Sequence, residues 1–348
     1  MNFNEFVDAS ERDLFIIAEA GVNHNGKVET ALQLVDAAVK AGCNAVKFQT
    51  WITGKVYSRK KSIKPDYQSR TTSATESEFE TIKKLELSYE DFERIKSYCD
   101  RKGIDFFSTP DEVDSADFLA GLGVRWMKTG SQDVTNTPFL RYVARLGIPV
   151  IFSTGACTLT ELAEGVETIL AETRELIILH CVSSYPAPAD QMNVSLIPNL
   201  KHMFGRPVGL SDHTTGTEVA CAAVALGARI FEKHLTLDKT MSGPDHQASL
   251  DPDEMLQYCR TLRSVRAALG DGVKRIMPCE ENTRMAFRRY AVAARDLPSG
   301  AVLGPHDIEF KKIVEGIPPR YLELMIGAQM VAPVAADTTI TWGMLKRP

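Results

Sequence analysis

The sequence lacks the features that would assign it to several large classes of protein. Its net charge is −5, so no basic surface for nucleic acid is indicated. No apolar run reaches the roughly 18 residues that a membrane span requires. The opening segment, MNFNEFVDASERD, is polar and acidic, unlike a signal peptide. We therefore expect a protein that binds neither nucleic acid nor membrane and that functions in the cytoplasm.

Cysteine motifs and a glycine-rich nucleotide motif are also missing. The seven cysteines form no Cys-x-x-Cys pair and leave one unmatched, so reduced and mostly buried thiols are expected. The first strand-to-helix turn reads AGVNHNG, which is not G-x-G-x-x-G. With 44% hydrophobic and 24% charged residues, the composition is that of a globular chain. Its length suits one large domain and a small one.

Over the first 270 residues, short β-rich runs alternate with amphipathic helical stretches. The runs are almost continuously apolar, which is typical of parallel strands covered on both faces. The helical stretches carry boundary signals: Gly42 is a predicted C-cap, and Ser88 with Asp91 begins a helix that Gly103 ends. The predicted strands are 15–20, 45–50, 104–109, 125–130, 150–154, 176–181, 207–212 and 230–236.

Eight βα units in about 270 residues are the number found in a (β/α)8 TIM barrel. An open doubly wound sheet is the alternative, but it usually has fewer strands and a glycine-rich first turn. The sequence therefore predicts an α/β protein with a barrel over residues 1–270. The segment 52–87 is longer than an ordinary βα connection and predicts a lid that folds partly over the site.

After the barrel the pattern changes. Residues 271–287 are charged and lack strand periodicity, which indicates a linker with some helix. Residues 288–348 contain short strands and turns and predict a small, compact β-rich domain. A domain of about 60 residues is only marginally stable alone. We therefore expect it to dock on the barrel or on a second subunit.

Polar side chains stand at the ends of nearly all predicted strands, where TIM barrels bind their substrates. Lys47 and Lys128 interrupt apolar strands, and burying an unpaired ammonium costs several kcal/mol. A position facing an anion is therefore favoured for both, and nearby hydroxyls would bind the same phosphate or carboxylate. The strand-end groups are Glu19, Lys47, Gln49, Ser108, Thr109, Lys128, Ser131, Ser153, Thr154, His180, Ser183, Ser211, Asp212, His213, Lys233 and His234.

Two histidines follow neighbouring predicted strands, the seventh and the eighth. His213 and His234 stand at equivalent ends of these strands, so the barrel would place them side by side. Two imidazoles in this arrangement can share one divalent metal, with water, substrate and a carboxylate completing its ligands. His24 and His180 lack a matched partner and are interpreted as structural.

Taken in order, the motifs at these positions resemble those of the sialic acid synthase (nonulosonate synthase) family. They are AEAGVNHNG, VKFQTW, FFSTP, MKTGS, FSTGA, LHCVSSYP, GLSDHT, EKHLT and GPDHQAS. The tail segment RRYAVAARDLPSGAVLGPHDI resembles the antifreeze-like (SAF) domain of that family. The resemblance implies a TIM barrel followed by a β-rich SAF domain, assembled as a domain-swapped homodimer.

The resemblance also implies an activity. The family condenses phosphoenolpyruvate with an N-acetylated amino-sugar aldehyde and water, forming a nine-carbon α-keto acid and phosphate. Here it implies N-acetylmannosamine or its diacetylated 6-deoxy analogue as the sugar, and N-acetylneuraminate or N,N'-diacetyllegionaminate as the product. His213 and His234 would hold a divalent metal, with manganese as the first expectation and magnesium or cobalt as alternatives.

Roles for individual side chains follow from the same resemblance. Glu19, Asp133 and Lys128 are the implied catalytic residues, and Asp133 stands where many members have Glu. Lys312 stands where members have an Arg that touches the N-acetyl group of the sugar. Phosphoenolpyruvate would be bound by Lys47, Thr109, Lys128, Ser131, Ser153 and Ser211, and the sugar by Gln49, Ser183, Tyr185, Asp245 and Lys312.

Other functions stay open. A Schiff-base aldolase on the same barrel would use Lys128 as its nucleophile and would need no metal. A pseudaminate synthase would take the altrose analogue of the sugar, and another phosphoenolpyruvate-condensing synthase would take a sugar phosphate. A non-enzymatic carbohydrate- or ice-binding protein would leave the strand-end groups unexplained.

Overall fold

The computed structural model describes residues 3–60 and 77–346 of the chain. The chain divides into two compact units, Met1–Gly270 and Asp271–Pro348. Of the predicted lid, 52–87, the central part 61–76 lies outside the described residues. Among the helices of the described part, none has the length and apolar composition needed to cross a bilayer.

Eight parallel strands close into a barrel in the first unit. They are Phe15–Gly21 (β1), Ala45–Thr50 (β2), Asp105–Pro110 (β3), Met127–Thr129 (β4), Val150–Ser153 (β5), Leu176–Cys181 (β6), Val208–Asp212 (β7) and Ile230–His234 (β8). Each strand pairs with the next, and β1 pairs with β8, where Glu19 lies beside His234. The predicted barrel is confirmed, and the doubly wound alternative is wrong.

Helices precede the barrel and connect its strands. Two predicted boundaries are confirmed: Gly42 ends a helix in the left-handed region at φ 80°, and Ser88 with Asp91 forms a capping box. The helices are Phe3–Arg12 (α1), Val28–Ala41 (α2), Thr53–Val56 (α3), Glu78–Leu85 (α4), Tyr89–Lys102 (α5), Val113–Gly121 (α6), Thr137–Arg145 (α7), Leu159–Leu170 (α8), Leu196–Phe204 (α9), Glu218–Ala225 (α10) and Pro252–Leu269 (α11).

Strand residues alternate between the interior of the barrel and the layer beneath the helices. Successive side chains of a strand point to opposite faces. In β2, Lys47 and Gln49 face the barrel interior, whereas Phe48 packs outward with its ring centroid 6.4 Å from that of Phe92 in α5. This alternation explains how an almost continuously apolar strand can present a lysine to the interior without placing it in the apolar layer.

Helix α1 is a feature that the polar, acidic opening of the sequence does not predict. Its Phe6 packs with a ring centroid 4.4 Å from Trp126 and 4.9 Å from Phe15. Phe15 begins β1 and Trp126 directly precedes β4, so these rings lie at the amino-terminal end of the barrel. An aromatic cluster therefore covers that end and leaves the carboxyl-terminal end of the strands for polar groups.

The second unit has short antiparallel strands and its own core. Its strands are Arg289–Ala293 (β9), Ile308–Lys312 (β10), Gln329–Met330 (β11) and Leu345–Lys346 (β12), and its helices are Glu281–Phe287 (α12) and Leu322–Met325 (α13). β9 pairs with β10, and β11 with β12. The core includes Ala291, Leu297, Leu303, Ile317, Met325, Met330 and Ile340. The predicted small β-rich region is therefore confirmed.

Candidate active site

A cavity of about 860 Å³ opens at the carboxyl-terminal ends of the barrel strands. This is the end at which TIM barrels bind their substrates. Most of the predicted site residues line it together: Glu19, Lys47, Gln49, Thr109, Lys128, Ser131, Ser153, Ser183, Tyr185, Ser211, His213 and His234. Residues far apart in the sequence are adjacent here because each follows or ends a strand of the same closed sheet.

Lys47 is buried within the cavity and ion-paired. Its Nζ lies 2.8 Å from Glu19 Oε2 and 3.8 Å from Glu232 Oε2, and it donates a hydrogen bond of 3.1 Å to Thr109 Oγ1. Burial alone would lower the pKa of Lys47, but the two carboxylates raise it above its ordinary value. The ammonium therefore carries its charge throughout the physiological pH range.

Lys128 is a second buried ammonium in the same cavity. Its Nζ donates to Ser153 Oγ at 2.7 Å and to the Thr129 carbonyl at 2.9 Å. Burial lowers its pKa, and the negative charge of Glu232 opposes that shift. Two lysines with adjacent hydroxyls form an environment suited to an anion with more than one negative charge.

Glu19 lies beside Lys47 on the neighbouring strand and titrates near neutral pH. Gln49 Nε2 donates to its Oε1 at 3.0 Å. Burial raises the pKa of Glu19 to about 7, although Lys47 lowers it in part. A carboxyl group with this pKa can accept or release a proton at physiological pH, as a general acid or base must.

Glu232 is a lining residue that the sequence reasoning missed. Its Oε1 accepts a hydrogen bond of 3.0 Å from Ser211 Oγ. Burial would raise the pKa of Glu232, but Lys128 and Lys47 lower it to about 2. Glu232 is therefore a fixed negative charge that partly offsets the two lysines. The signal was available, because Glu232 lies two residues before His234 in β8 and period-two alternation places both on one face.

Asp212 and Lys233, two of the strand-end groups, face away from the cavity. Lys233 Nζ lies 2.9 Å from Asp212 Oδ2 and also donates to the Thr214 and Gly216 carbonyls. Asp212 Oδ1 accepts from the backbone N–H and the hydroxyl of Thr214, at 2.9 and 2.7 Å. The Tyr258 hydroxyl of α11 donates to Asp212 Oδ2 at 3.4 Å. Their position at strand ends suggested that they face substrate, but the structure gives them a packing role.

The imidazoles of His213 and His234 face each other at the cavity, with ring centroids 5.4 Å apart. His213 Nδ1 donates to the Val182 carbonyl at 2.7 Å, so Nε2 is the ring nitrogen that a metal could bind. Burial lowers the pKa of His234 well below its ordinary value, so that ring is neutral. The ring of Tyr185 packs against His213, with centroids 4.1 Å apart.

The donor set at these histidines fits a divalent metal. No side chain of the described residues hydrogen-bonds to His234 Nδ1, which is buried. Asp245 Oδ2 lies 3.8 Å from that nitrogen. In the part of the chain that the structure describes, no group of three or more His, Cys, Asp or Glu is arranged to hold a metal. The protein would therefore supply two nitrogen ligands, with water and substrate completing the coordination.

Asp133 and Asp245 do not line the cavity, although sequence neighbours of Asp133 such as Gln132 do. Asn136 Nδ2 donates to Asp133 Oδ1 at 3.1 Å, and Asp133 Oδ2 is buried with no hydrogen-bond partner among the described residues. Burial raises the pKa of Asp133 and that of Asp245 to about 6 each. In the second unit, Lys312 lies in β10 with its Nζ 4.7 Å from the ring centroid of Phe287.

A tight turn after β5 contributes to the cavity lining through Ala156 and Cys157. The Gly155 N–H donates to Ser131 Oγ at 2.9 Å. A Cβ at position 155 would lie 2.1 Å from Ser183 Oγ and 2.8 Å from Ser131 Oγ. Cys181, which the sequence reasoning did not select, also lines this region. Glycine is therefore needed here because the backbone approaches two predicted substrate-binding hydroxyls.

Comparisons with known proteins agree with this arrangement. The NeuB family matches residues 34–274, and the SAF domain matches residues 288–346. The N,N'-diacetyllegionaminic acid synthase of Legionella pneumophila is 38% identical over 338 residues, covering 96% of this chain and 95% of that protein. The N-acetylneuraminate-9-phosphate synthase of Homo sapiens is 32% identical, with 94% and 91% covered.

The solved structures include a similar protein. It is the crystal structure of an N-acetylneuraminic acid (sialic acid) synthetase from Leptospira borgpetersenii. It matches with a TM-score of 0.70 and 34% identity, covering 79% of this chain and 91% of that one.

Proposed function

We propose that this chain, which belongs to the NeuB family and carries a SAF domain, condenses phosphoenolpyruvate with an N-acetylated amino-sugar aldehyde and water. The products would be a nine-carbon α-keto acid and inorganic phosphate. One observation carries the proposal: a single cavity contains two buried ammonium groups, two facing imidazoles and a carboxyl group with a pKa of about 7.

Lys47 and Lys128 would bind the phosphate and carboxylate of phosphoenolpyruvate. Their Nζ atoms already donate to Thr109 and Ser153, so these hydroxyls can share the same anion; Ser131 and Ser211 line the same cavity. Fixed cations and hydroxyls cost no reorganisation when charge develops, so they contribute by positioning and by electrostatics.

The carbon–carbon bond would form between the methylene carbon of phosphoenolpyruvate and the aldehyde carbon of the sugar. His213 and His234 fit a divalent metal, manganese as the first expectation, which would supply Lewis-acid polarisation of the aldehyde carbonyl. Attack leaves positive charge on the carbon that bears the phosphate ester. Water adds there, and the tetrahedral intermediate expels phosphate.

Glu19 is the carboxylate best placed to take the proton of the attacking water. It lines the cavity, and its pKa of about 7 matches the proton affinity that a general base needs near neutral pH. Asp133 remains the second candidate, with a pKa of about 6, but its side chain is not part of the cavity lining.

The charges of the cavity favour an acceptor sugar without a phosphate group. Among the described lining residues, the lysines are Lys47 and Lys128, and phosphoenolpyruvate would use both. Glu161 adds a negative charge to the lining, and Gln132 and Ser183 are neutral hydrogen-bonding groups. N-acetylmannosamine or its diacetylated 6-deoxy analogue suits this lining better than a sugar phosphate. The relative named as a legionaminic acid synthase supports the second of these sugars.

A Schiff-base aldolase is the second candidate, because burial lowers the pKa of Lys128, as a nucleophilic amine requires. The histidine pair would then have no role. The two functions separate in one experiment: borohydride with a keto acid would trap an aldolase covalently and leave a synthase unmodified.

The family resemblance carries two further proposals: Lys312 contacts the sugar, and the chain assembles as a domain-swapped homodimer. The composition carries a third, that the protein functions in the cytoplasm. If Lys312 binds the sugar, Lys312→Ala should raise KM for the sugar and leave KM for phosphoenolpyruvate unchanged. An equal change in both constants would remove that assignment.

The primary test is phosphate release from phosphoenolpyruvate with manganese and a panel of acceptors. The panel comprises N-acetylmannosamine, its 6-phosphate, the diacetylated 6-deoxy mannose analogue and the altrose analogue of the pseudaminate route. We expect release with one unphosphorylated mannose-type sugar and its loss on chelation. Release with the altrose analogue alone would identify a pseudaminate synthase, and release with the 6-phosphate alone would refute the charge argument. No release with any sugar would refute the synthase assignment.

A further inference from the structure

Two cysteine thiols are in contact outside the strands of the barrel. They are not part of the cavity or of the function proposed for it. Cys43 directly follows Gly42 at the end of α2, and Cys259 lies in α11. Their Sγ atoms are 3.7 Å apart, although 216 positions separate them in the sequence. Neither residue lines the cavity. The contact therefore joins the first and last connecting helices of the barrel.

The two thiols differ in access and in acidity. Cys43 is half-buried, whereas Cys259 is buried. The hydrogen bond with Cys259 and burial raise the pKa of the Cys43 thiol well above its ordinary value. A hydrogen bond from Cys43 lowers the pKa of Cys259, burial opposes this shift, and the positive charge of Arg263 adds to it. Arg263 lies one turn after Cys259 and donates to the Gly42 carbonyl at 2.7 Å. The same side chain thus holds α11 against the turn that carries Cys43 and favours a thiolate there.

We propose that Cys43 and Cys259 form a thiol–disulfide site that a disulfide oxidant of the glutathione type converts to an intramolecular disulfide. The Cys259 thiolate takes the proton of the hydrogen-bonded Cys43 thiol, and the Cys43 thiolate, the more accessible of the two, attacks one sulfur of glutathione disulfide. The departing glutathione thiolate takes that proton from Cys259, which becomes a thiolate again. The Cys259 thiolate then attacks the Cys43 sulfur of the mixed disulfide and releases the second glutathione. Two protein thiols are oxidised, and one glutathione disulfide is reduced to two glutathione molecules.

The local backbone allows the two sulfur atoms to approach bonding distance. A disulfide needs an S–S separation of about 2.05 Å, so the present contact must shorten by roughly 1.7 Å. Cys43 occupies the turn between α2 and β2, outside both elements, so rotation of its side chain and a shift of this turn are the movements that bond formation requires. Lys47, the first cavity residue after this turn, lies within β2 and is held by its hydrogen bond and ion pairs.

The disulfide would act on unfolding rather than on catalysis. It closes a loop of more than 200 residues in the unfolded chain, and long loops lose the most entropy on cross-linking. Since it ties the end of α2 to α11, it opposes separation of these two helices from the barrel. We expect the oxidised protein to melt roughly 5 °C or more above the reduced protein and to keep its steady-state rate.

The experiment uses the full chain, equilibrated in buffers of defined ratio between glutathione disulfide and reduced glutathione. We expect loss of two of the seven thiols on denaturing titration, a cross-linked peptide containing Cys43 and Cys259, and a rise in Tm that dithiothreitol reverses. Cys43→Ser and Cys43→Ala should abolish the rise. Cys221→Ser, at a half-buried cysteine of α10 outside the pair, should retain it.

Three outcomes would overturn the proposal. One is a stable glutathione adduct on Cys43 without the cross-linked peptide. Another is that all seven thiols remain reduced at every ratio of glutathione disulfide to reduced glutathione that oxidises a reference dithiol. The third is an equal Tm rise in both Cys43 variants. None of these readouts depends on the proposed synthase activity, so failure of that activity would leave the thiol site standing.

Discussion

The two faces of β7 and β8 differ in hydrogen bonding rather than in burial. On the outward face, the Asp212 and Lys233 side chains are fully buried, and their charged atoms all meet partners within the protein. On the inward face, Glu232 and His234 are 5% exposed, yet Glu232 Oε2 and His234 Nδ1 have no hydrogen-bond partner among the described residues.

The contrast teaches how to separate structural from functional charge. A buried polar atom without a partner costs free energy, and beside a cavity a ligand can supply the partner that the chain does not. The outward cluster has no need of a ligand. The inward cluster leaves Glu232 Oε2 and His234 Nδ1 without hydrogen bonds from the described residues, and both residues line the cavity. Adjacent residues of one strand therefore have opposite roles.

The largest expected effect is on the inward face. His213→Ala or His234→Ala should lower turnover by more than roughly 100-fold. Losing a group that only hydrogen-bonds to a metal ligand costs up to about 100-fold, and losing the ligand itself should cost more. Circular dichroism should show an intact fold in both variants. A chelator should abolish wild-type activity, and manganese should restore it. Activity near the wild-type level in either variant would remove the metal assignment.

The outward face should respond in stability instead. Lys233→Met leaves Asp212 buried and unpaired, and breaking such a pair typically costs about 3–5 kcal/mol of unfolding free energy. Denaturant unfolding measures this loss, and kcat of the folded protein should change only a few-fold. The matched control is the double variant Asp212→Asn/Lys233→Met, in which the unpaired charge is absent and much of the stability should return. A large kcat loss with unchanged stability would reverse the assignment of the two faces.

Gly155→Ala tests how closely the backbone must approach the inward hydroxyls. The new Cβ would lie 2.1 Å from Ser183 Oγ, so that side chain must move. We expect a fall in kcat/KM of up to roughly 100-fold from misplaced groups, with about 1–3 kcal/mol lost in stability. Gly121→Ala is the control, because nothing lies within 4 Å of a Cβ at the end of α6. Equal kinetics in both variants would show that the approach at Gly155 is not needed.

The smallest effect belongs to a buried imidazole outside both clusters. Burial lowers the pKa of His24 from 6.5 to about 4, and its Nδ1 accepts a hydrogen bond from the Gly26 N–H. Between these pH values the unfolded chain binds the proton and the folded chain does not. His24 therefore costs stability as the pH falls from 6.5 toward 4, by up to about 3 kcal/mol.

The unfolding free energy of the variant His24→Asn should lack this part of the pH dependence. The difference in unfolding free energy between variant and wild type should therefore change between pH 8 and pH 4. Unfolding midpoints measured at both ends of the range check the difference. Parallel curves for the two proteins over the whole range would show that folding does not shift the pKa of His24.

Much of the barrel could be predicted because strands that are covered on both faces have almost continuously hydrophobic sequences. The runs 45–50 and 176–181 coincide with Ala45–Thr50 and Leu176–Cys181. The run 125–130 shortens to Met127–Thr129. Its Trp126 packs with α1 instead, a tertiary contact that no local pattern contains.

The sequence predicted most of the residues that lie at the candidate site, but not which of the strand-end side chains face the cavity. Strand ends identified both Lys233 and His234, and only the alternation of the strand in three dimensions separates them. Glu232 was missed because it lies inside a strand rather than at its end. The motifs could not show that Asp133 lies behind the cavity lining, because that depends on how the turn after β4 folds.

Because β1 pairs with β8, the first barrel strand is synthesised long before one of its two partners. Phe15 leaves the ribosome about 200 residues before its partner Ile230. At ordinary elongation rates, this interval lasts about 10 to 40 s. During it, one edge of β1 has no strand to pair with and can join another exposed edge. A nascent chain of this protein is therefore most exposed to mispairing through its earliest strand, until its last barrel strand emerges.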